Sequence, residues 1–244
     1  MIPAWNEEAR LSQTLEAYLP PLRRSGVPFE VIVVCDGSTD GTFSIASGFA
    51  EQGVRVLHAE TKLGKGGAVL AGFRSARFSR IGFVDADGPI RPEDLFALAD
   101  SLDHYDCAIA SRLAAGSVTT VRRTASRRVL SRAWSLAVRG LLLLPVRDTQ
   151  CGAKFFRRSA VSAILRKVAL TNWAFDVSIL FHVHEAGYSI QEVPVTWTES
   201  EGSKLVIVRD VPIMLLSLIG VRVMSIPGGK RRSGSAPVSQ PAPP

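Results

Sequence analysis

Ser79-Arg80-Ile81-Gly82-Phe83-Val84-Asp85-Ala86-Asp87-Gly88 is the stretch on which the reading of this chain turns. Its apolar run predicts a buried strand that ends abruptly in two carboxylates one residue apart. Residues i and i+2 of a strand point to the same side, so Asp85 and Asp87 can converge on a single ligand. Gly88-Pro89 then breaks the strand. Pro92-Glu93-Asp94 reads as the first turn of a helix, with proline where a missing N–H costs nothing. Paired acids at the carboxyl end of a strand lie where open α/β sheets bind ligands. Their hard oxygens suit Mg²⁺ or Mn²⁺ carrying a diphosphate. An isolated Asp-x-Asp is more often a solvated turn, so the flanking segments must decide.

Upstream, Phe29 to Val34 is an apolar, β-branched run that predicts a second buried strand. It ends in Cys35-Asp36-Gly37-Ser38-Thr39-Asp40-Gly41-Thr42, where Asp36 can hydrogen-bond a nucleobase or ribose edge, or equally close an ordinary Asx turn. A helix is expected from Thr42 to Glu51 and a strand from Val54 to His58. Lys62-Leu63-Gly64-Lys65-Gly66-Gly67 then opens a helix that ends near Arg77. This glycine run lacks the Ser or Thr and the earlier glycine of a Walker loop, and it does not directly follow a strand as a dinucleotide fingerprint would. It remains a glycine turn holding Lys65 at a helix N-terminus, a suitable place for a diphosphate. Pro3-Ala4-Trp5-Asn6-Glu7-Glu8 reads as a strand end running into a helix, with Asn6 as cap and both glutamates in the first turn. Leu11, Leu15, Tyr18 and Leu22 continue at helical spacing. Met1-Ile2 is too short for a whole strand, so the first strand is expected to be truncated or its start assigned too late.

Downstream come a helix from Pro92 to Leu102 and a strand from Asp106 to Ala110. This alternation predicts an α/β fold with a mostly parallel mixed sheet flanked by helices. A small-residue loop, Gly116 to Thr120, precedes a long helix from Arg122 to Leu144, on which Arg123 and Arg127 share one face. Asp148-Thr149-Gln150-Cys151-Gly152 is a turn before a short strand, Ala153 to Phe156. Helices follow from Ser159 and from Asn172-Trp173-Ala174-Phe175-Asp176 to Gly187, then a strand from Ser189 to Trp197. Asp176, near two aromatic residues, can serve as base, acceptor-orienting group or helix cap. The expected organisation is a catalytic domain over 1–205, a membrane-interfacial helical segment over 206–227 and a disordered tail over 228–244.

A chain of 244 residues with 46% hydrophobic residues can build one full core. The run from Val211 to Val223 is too short to span a bilayer and carries Arg222, and no secretory signal is visible. Three widely spaced cysteines argue against a disulfide framework and fit a reducing cytosol. His182 and His184, two apart on a helix, face different ways and make a poor metal pair. The net charge of +7 is uneven: from Cys107 to Arg147 there is no acid, only arginines. Such a block predicts an anionic partner, whether nucleic acid, anionic lipid or a phosphorylated substrate. Nucleic acid is disfavoured, because the segment lacks the interleaved aromatics of stacking readers and would leave the Asp-x-Asp unexplained.

The order of these pieces is more specific than any one of them. Pro3 to Glu8, Asp36 to Thr42, Gly64-Lys65-Gly66-Gly67-Ala68-Val69 and Asp85-Ala86-Asp87-Gly88 together resemble glycosyltransferase family 2, the inverting GT-A enzymes that use nucleotide-sugars. Ser111-Arg112, Asp148 to Phe156, Trp173 to Val177 and Trp197 to Leu205 resemble its dolichyl-phosphate β-glucosyltransferase branch. The likeness spans residues 3 to 223. It implies that Pro3, Ala4, Trp5, Glu7 and Ala86 line the donor pocket, that Asp36 holds the base, and that Lys65 lies near the nucleotide. Asp85 and Asp87 would bind Mg²⁺ or Mn²⁺. Related mannosyltransferases follow the motif with Leu-Gln, whereas Gly88-Pro89 stands here, which points to the glucosyl branch. A phosphate acceptor is already anionic and needs orientation more than deprotonation, which suits guanidinium groups. Arg112, Arg123, Arg127, Lys154 and Lys204 are therefore the expected acceptor-phosphate ligands, with Asp176 orienting the acceptor. The expected reaction moves glucose from UDP-glucose to a polyprenyl phosphate at the cytoplasmic membrane face, the protein being peripheral. Transfer from GDP-mannose is the nearest rival. Glycosylation of a soluble acceptor is a second, against which the acid-free arginine block argues.

Overall fold

The computed structural model describes residues 1–88, 90–120, 125–168, 174–198, 213 and 216–222, with side chains in the long helix from residue 133 onward. In chain order the elements are β1 (Ile2–Ala4), α1 (Leu11–Arg24), β2 (Val31–Asp36), α2 (Thr42–Gly48), β3 (Val54–Ala59), α3 (Gly64–Ser75), β4 (Arg80–Val84) and α4 (Pro92–Ser101). Next come β5 (Cys107–Ser111), β6 (Val118–Thr119), α5 (Ala125–Leu142), β7 (Ala153–Arg157), α6 (Arg158–Ile164), α7 (Phe175–Glu185), β8 (Ile190–Pro194) and β9 (Thr196–Trp197).

β1, β2 and β3 form a parallel ladder, and β4, β7, β5 and β8 form a second one in which only β7 runs antiparallel. The two meet at β1 and β4: the Met1 nitrogen donates to the Gly82 carbonyl and the Val84 N–H donates to the Met1 carbonyl. Chain order therefore reverses between β1 and β4. Strand periodicity sorts the core into two layers. Val31, Val33 and Cys35 of β2 and Ala108 and Ala110 of β5 pack with α1 and α4. Ile81 and Phe83 of β4 and Cys107 and Ile109 of β5 pack instead with α3, α5, α6 and α7. β2 is buried along its whole length, which explains its uninterrupted apolar run. Under α3 and α7 the rings of Phe73, Phe83, Phe156 and Phe175 form a connected aromatic cluster, with centroids 5.6 to 6.3 Å apart.

Three expectations need correction. Asn6 does not cap α1: it has φ of 52° and accepts the Thr39 N–H, and the helix starts only at Leu11. The left-handed turn is needed to bring the β1 loop against the β2 loop, and asparagine tolerates that backbone region better than most residues. Glu7 and Glu8 accordingly lie before the first helical turn. The segment read as a loop from Gly116 to Thr120 contains β6, which pairs in parallel with β9. Expected segments at 206–227 and 228–244 fall largely outside the described residues; within the first, 216–222 is helical, with Leu218 and Val221 buried in the α5 layer.

Phe83 sits at the centre of the aromatic cluster and is fully buried. Phe83→Ala is expected to cost about 3–5 kcal/mol of unfolding free energy, read from urea denaturation, with Phe83→Leu losing much less.

Candidate active site

The reversal of chain order places the carboxyl ends of β1 and β4 beside one crevice, the usual ligand position in an open α/β sheet. From β1 comes Trp5, with the Lys62 ammonium 2.9 Å from its ring centroid, and Glu7, ion-paired to Arg10 at 2.6 Å. From β4 come Asp85 and Asp87. The β1 and β2 loops are zipped together: Glu7 N–H donates to Thr42 Oγ1 at 2.8 Å, and Gly41 N–H donates to Glu8 Oε2 at 2.7 Å. Gly37 is required here, since its φ is +60° and an added Cβ would lie 2.7 Å from the Lys62 nitrogen. α1 clamps the loop that carries Asp87. Thr14 Oγ1 donates to the Ala86 carbonyl and Tyr18 OH to the Ile90 carbonyl, each at 2.8 Å.

Beneath the crevice runs a chain of alternating charges. Asp85 Oδ1 accepts from Lys65 Nζ at 2.9 Å, and Lys65 also donates to Asp176 Oδ2 at 2.9 Å. Asp176 Oδ1 in turn accepts from Lys154 Nζ at 2.6 Å, and Lys154 donates to the Cys151 carbonyl at 2.8 Å. Asp176 is 1% exposed and Lys154 0%. Burial alone would raise the Asp176 pKa, but Lys154 and Lys65 outweigh it and hold the carboxyl below the ordinary range. Burial would likewise lower Lys65; Asp176 and Asp85 outweigh it and push its pKa up. Asp87 behaves oppositely. Burial first, and then the Asp85 charge, raise its pKa despite nearby Arg10. Three carboxylates thus face two ammoniums, and the surplus negative charge lies at Asp85 and Asp87.

Those two carboxylates fit a divalent cation by donor type, by position at one strand end, and by mutual repulsion that a cation would relieve. Among the described residues no cluster of three or more His, Cys, Asp or Glu side chains forms, so the remaining ligands would be diphosphate or water oxygens. Gly152 makes room for Asp85: its carbonyl accepts the Asp85 N–H at 2.9 Å, and an added Cβ would lie 2.1 Å from Asp85 Oδ2.

Residues 1–165 match the model of glycosyl transferase family 2. The chain belongs to glycosyltransferase family 2. Like other members it is a glycosyltransferase, and its sheet and helices have the GT-A arrangement. It is 37% identical over 221 residues to dolichyl-phosphate beta-glucosyltransferase of Drosophila melanogaster, covering 84% of this chain and 68% of that protein. The human protein of the same name is 34% identical over 222 residues, with the same coverage. In fold it resembles glucosyl-3-phosphoglycerate synthase of Mycobacterium tuberculosis, crystallised with Mn²⁺ and UDP-glucose: the TM-score is 0.67 at 21% identity, covering 90% of this chain and 77% of that one.

In this glycosyltransferase the residues expected at the donor side gather round one crevice: Trp5 and Glu7 after β1, Asp36 at the end of β2, Lys65 in the first turn of α3, and Asp85, Ala86 and Asp87 after β4. Pro3 and Ala4 lie within β1 itself, Ala4 fully packed. Asp36 is buried and accepts the Leu63 N–H, so its carboxylate also fixes the loop before α3. The acceptor side needs correction. Lys154 is a buried counter-ion of Asp176 rather than a surface phosphate ligand, because β7 directs it inward above the Phe83 ring. Asp176 is too deeply buried to touch an acceptor in this structure; it holds Lys65 instead. Arg112 grips Asp148 through two nitrogens, at 2.7 and 2.6 Å, and stacks on Trp197. Arg123 and Lys204 lie outside the described residues, and Arg127 is placed only by its backbone, in the first turn of α5.

Sequence reasoning missed Gly152 and the Asp148–Glu192 pair. Glu192 Oε1 accepts from Ser111 Oγ at 2.7 Å and from Asp148 N–H at 3.0 Å, which ties β5 and β8 to the loop ending at Gly152. A signal was present: Asp148 and Gly152 bracket a short turn before a strand that carries a lysine beside two phenylalanines.

Removing one member of the buried pair leaves the other uncompensated. Lys154→Met is expected to destabilise the fold by about 3–5 kcal/mol, and Asp176→Leu added to it should restore part of the loss, in a double-mutant cycle read by urea denaturation. For Asp148, burial is outweighed by Arg112, which holds its carboxyl below the ordinary range. Its contribution is therefore complete above the unfolded value of about 3.9 and is lost as pH falls through the lower folded value. Asp148→Asn should cost about 1–3 kcal/mol near neutral pH, and the gap to the parent should close in acid.

Proposed function

We propose that this enzyme transfers glucose from UDP-glucose to a polyprenyl phosphate of the dolichyl type, with inversion at the anomeric carbon, while lying on the cytoplasmic face of a membrane. The observation that carries this reading is the carboxylate pair at the switch crevice, backed by Lys65, in a chain 37% identical to a dolichyl-phosphate beta-glucosyltransferase. A divalent cation on Asp85 and Asp87 would neutralise the diphosphate leaving group. Lys65 sits within the first turn of α3, beside Asp85, where its ammonium and the helix N-terminus both favour the departing phosphates. Asp176 and Asp85 keep Lys65 charged and in place, so that its field is preorganised before the donor arrives. Trp5 offers an aromatic face to the base, beside the Asp36 loop.

An oxygen of the acceptor phosphate forms the new bond to the sugar's anomeric carbon, while the bond from that carbon to the β-phosphate breaks and its electron pair leaves with UDP. A phosphate dianion needs no base for this step, which accords with Asp176 being buried as a counter-ion. Arg123 and Arg127, at the start of the α5 region, are the proposed ligands of the acceptor phosphate, with Lys204. Support for an apolar acceptor and a membrane surface comes from side chains that α5 and the 216–222 helix leave uncovered. Leu136 is 67% exposed and Leu216 69%, while Leu218 and Val221 on the other face of the same short helix are buried. No helix among the described residues is long and apolar enough to cross a membrane.

The test is a transfer assay with UDP- and GDP-sugars, a polyprenyl phosphate, and Mn²⁺ or Mg²⁺ present or chelated. Glucose should move from UDP-glucose, and chelation should stop it; mannose transfer from GDP-mannose alone would overturn the donor assignment. Asp87→Ala should lower kcat by about a hundredfold or more, whereas Arg127→Ala should chiefly raise the KM for the lipid phosphate.

A further inference from the structure

Of the four members of the charge chain, Lys65 alone bonds both a carboxylate of the crevice and one of the core. Its Nζ lies 2.9 Å from Asp85 Oδ1 and 2.9 Å from Asp176 Oδ2. The two contacts match in length but not in setting: the Asp176 side chain is 1% exposed and that of Asp85 31%. A buried carboxylate that loses an ammonium is left uncompensated, whereas one at the edge of the crevice is taken up by water. Lys154 cannot cross over to replace Lys65, since it is itself buried and donates to the Cys151 carbonyl. The bond to Asp176 is therefore the lasting one, and the bond to Asp85 is the one that can be exchanged.

Asp85 is closely hemmed in. Its Oδ1 accepts the ammonium, and its Oδ2 lies against Gly152, where an added Cβ would fall 2.1 Å away. Gly152 is held in that place, because its carbonyl accepts the Asp85 N–H at 2.9 Å. A divalent cation that takes Asp85 as a ligand thus meets a carboxylate already paired with a positive charge. Like charges this close in a half-buried crevice repel strongly, so the ammonium and the ion compete for one carboxylate. A second anion within reach of Lys65 would settle the contest. The ammonium stands on a flexible stem in the first turn of α3, where the helix N-terminus also favours a diphosphate.

We propose that Lys65 competes with the divalent cation for Asp85, so that a diphosphate which draws the ammonium away completes the metal site. Resting on the assignment of Asp85 and Asp87 as metal ligands, this role adds an order of binding to it. Asp87 carries the cation alone until the donor's phosphates engage Lys65, and Asp85 then joins it. Lys65 keeps its bond to Asp176 throughout, so only the end of its stem needs to turn. The coupling that runs through Lys65 is reciprocal: the diphosphate tightens the hold on the cation as much as the cation tightens the hold on the diphosphate.

The test measures Mn²⁺ binding to the full chain, without nucleotide and with saturating UDP, by the enhancement of water proton relaxation, which separates protein-bound ion from Mn²⁺–UDP in solution. Lys65→Met should tighten nucleotide-free Mn²⁺ binding by about tenfold. That gain should vanish when Asp85→Asn is added, whereas a gain from merely removing a nearby positive charge would persist. Should Lys65→Met fail to fold, Asp85→Asn with Lys65 intact decides. It should weaken Mn²⁺ binding no more than about twofold without nucleotide, and about tenfold or more with UDP. An unchanged affinity in Lys65→Met, a gain that survives the second substitution, or an equal cost of Asp85→Asn in both conditions would overturn the competition and leave the metal ligands standing. A parent chain that binds no Mn²⁺ even with UDP would remove the metal ligands and the competition together.

Discussion

The structure depends on one relay of charge, Asp85–Lys65–Asp176–Lys154, that runs from the crevice into the core, with Asp176 and Lys154 fully buried. Each member comes from a different part of the fold: the end of β4, the start of α3, the start of α7 and the middle of β7. Neither of the two inner members could be buried alone, because an isolated ion in a low-dielectric interior costs far more than any packing could return. Alternating signs make burial tolerable, and the short contacts along the chain leave little freedom for any one member to shift. Phe83 lies under both lysines, at 5.6 and 5.3 Å, so the aromatic core and the polar relay share a wall. The relay thus couples the packing of the α3–α7 layer to the position of a carboxylate in the crevice.

Much of this architecture was legible in the residues. Strand–helix alternation, the helix start at Pro92 and the acidic strand end follow from local rules that burial reinforces rather than opposes. That the residues expected at the donor side would gather together was legible for the same reason: most sit at strand ends, where chain order and sheet geometry leave few choices. The surroundings of those expected at the acceptor side were not. Lys154 looks like a surface cation in sequence, because nothing local reveals that β7 runs antiparallel between β4 and β5 with both faces covered. Arg112 likewise reads as an open guanidinium until Asp148, thirty-six positions on, is folded against it. Asn6 shows the limit of a local rule: its side chain suits a cap, yet the contact with Thr39 across the β1 and β2 loops wins.

The two halves of the site differ in how they are held. Donor-side groups are anchored from below by the relay and from the side by α1 through Thr14 and Tyr18. Gly152 adds a steric limit, since the loop that carries it is fixed by Arg112, Asp148 and Glu192 and closes directly against Asp85. Arg112 therefore acts on the carboxylate pair at a distance, through loop position. A cationic side chain that was expected to meet a substrate instead determines where an acid sits. The described end of α5 carries leucines, Leu136 and Leu141, that nothing in the described structure covers.

The seam between β1 and β4 is where these constraints meet. On one side of it lie the Trp5–Glu7 loop and β2, and on the other lie Asp85, Asp87 and the relay. Backbone bonding across the seam runs through Met1, Gly82 and Val84, so side-chain packing of the α1–α4 layer, which draws on both ladders, must supply most of the cohesion. A donor spanning the crevice would contact both sides at once and be sensitive to any slip between them. The geometry that makes the switch point a good ligand site, two strand ends diverging from a common line, is thus also what makes its alignment depend on packing from both sides of the seam.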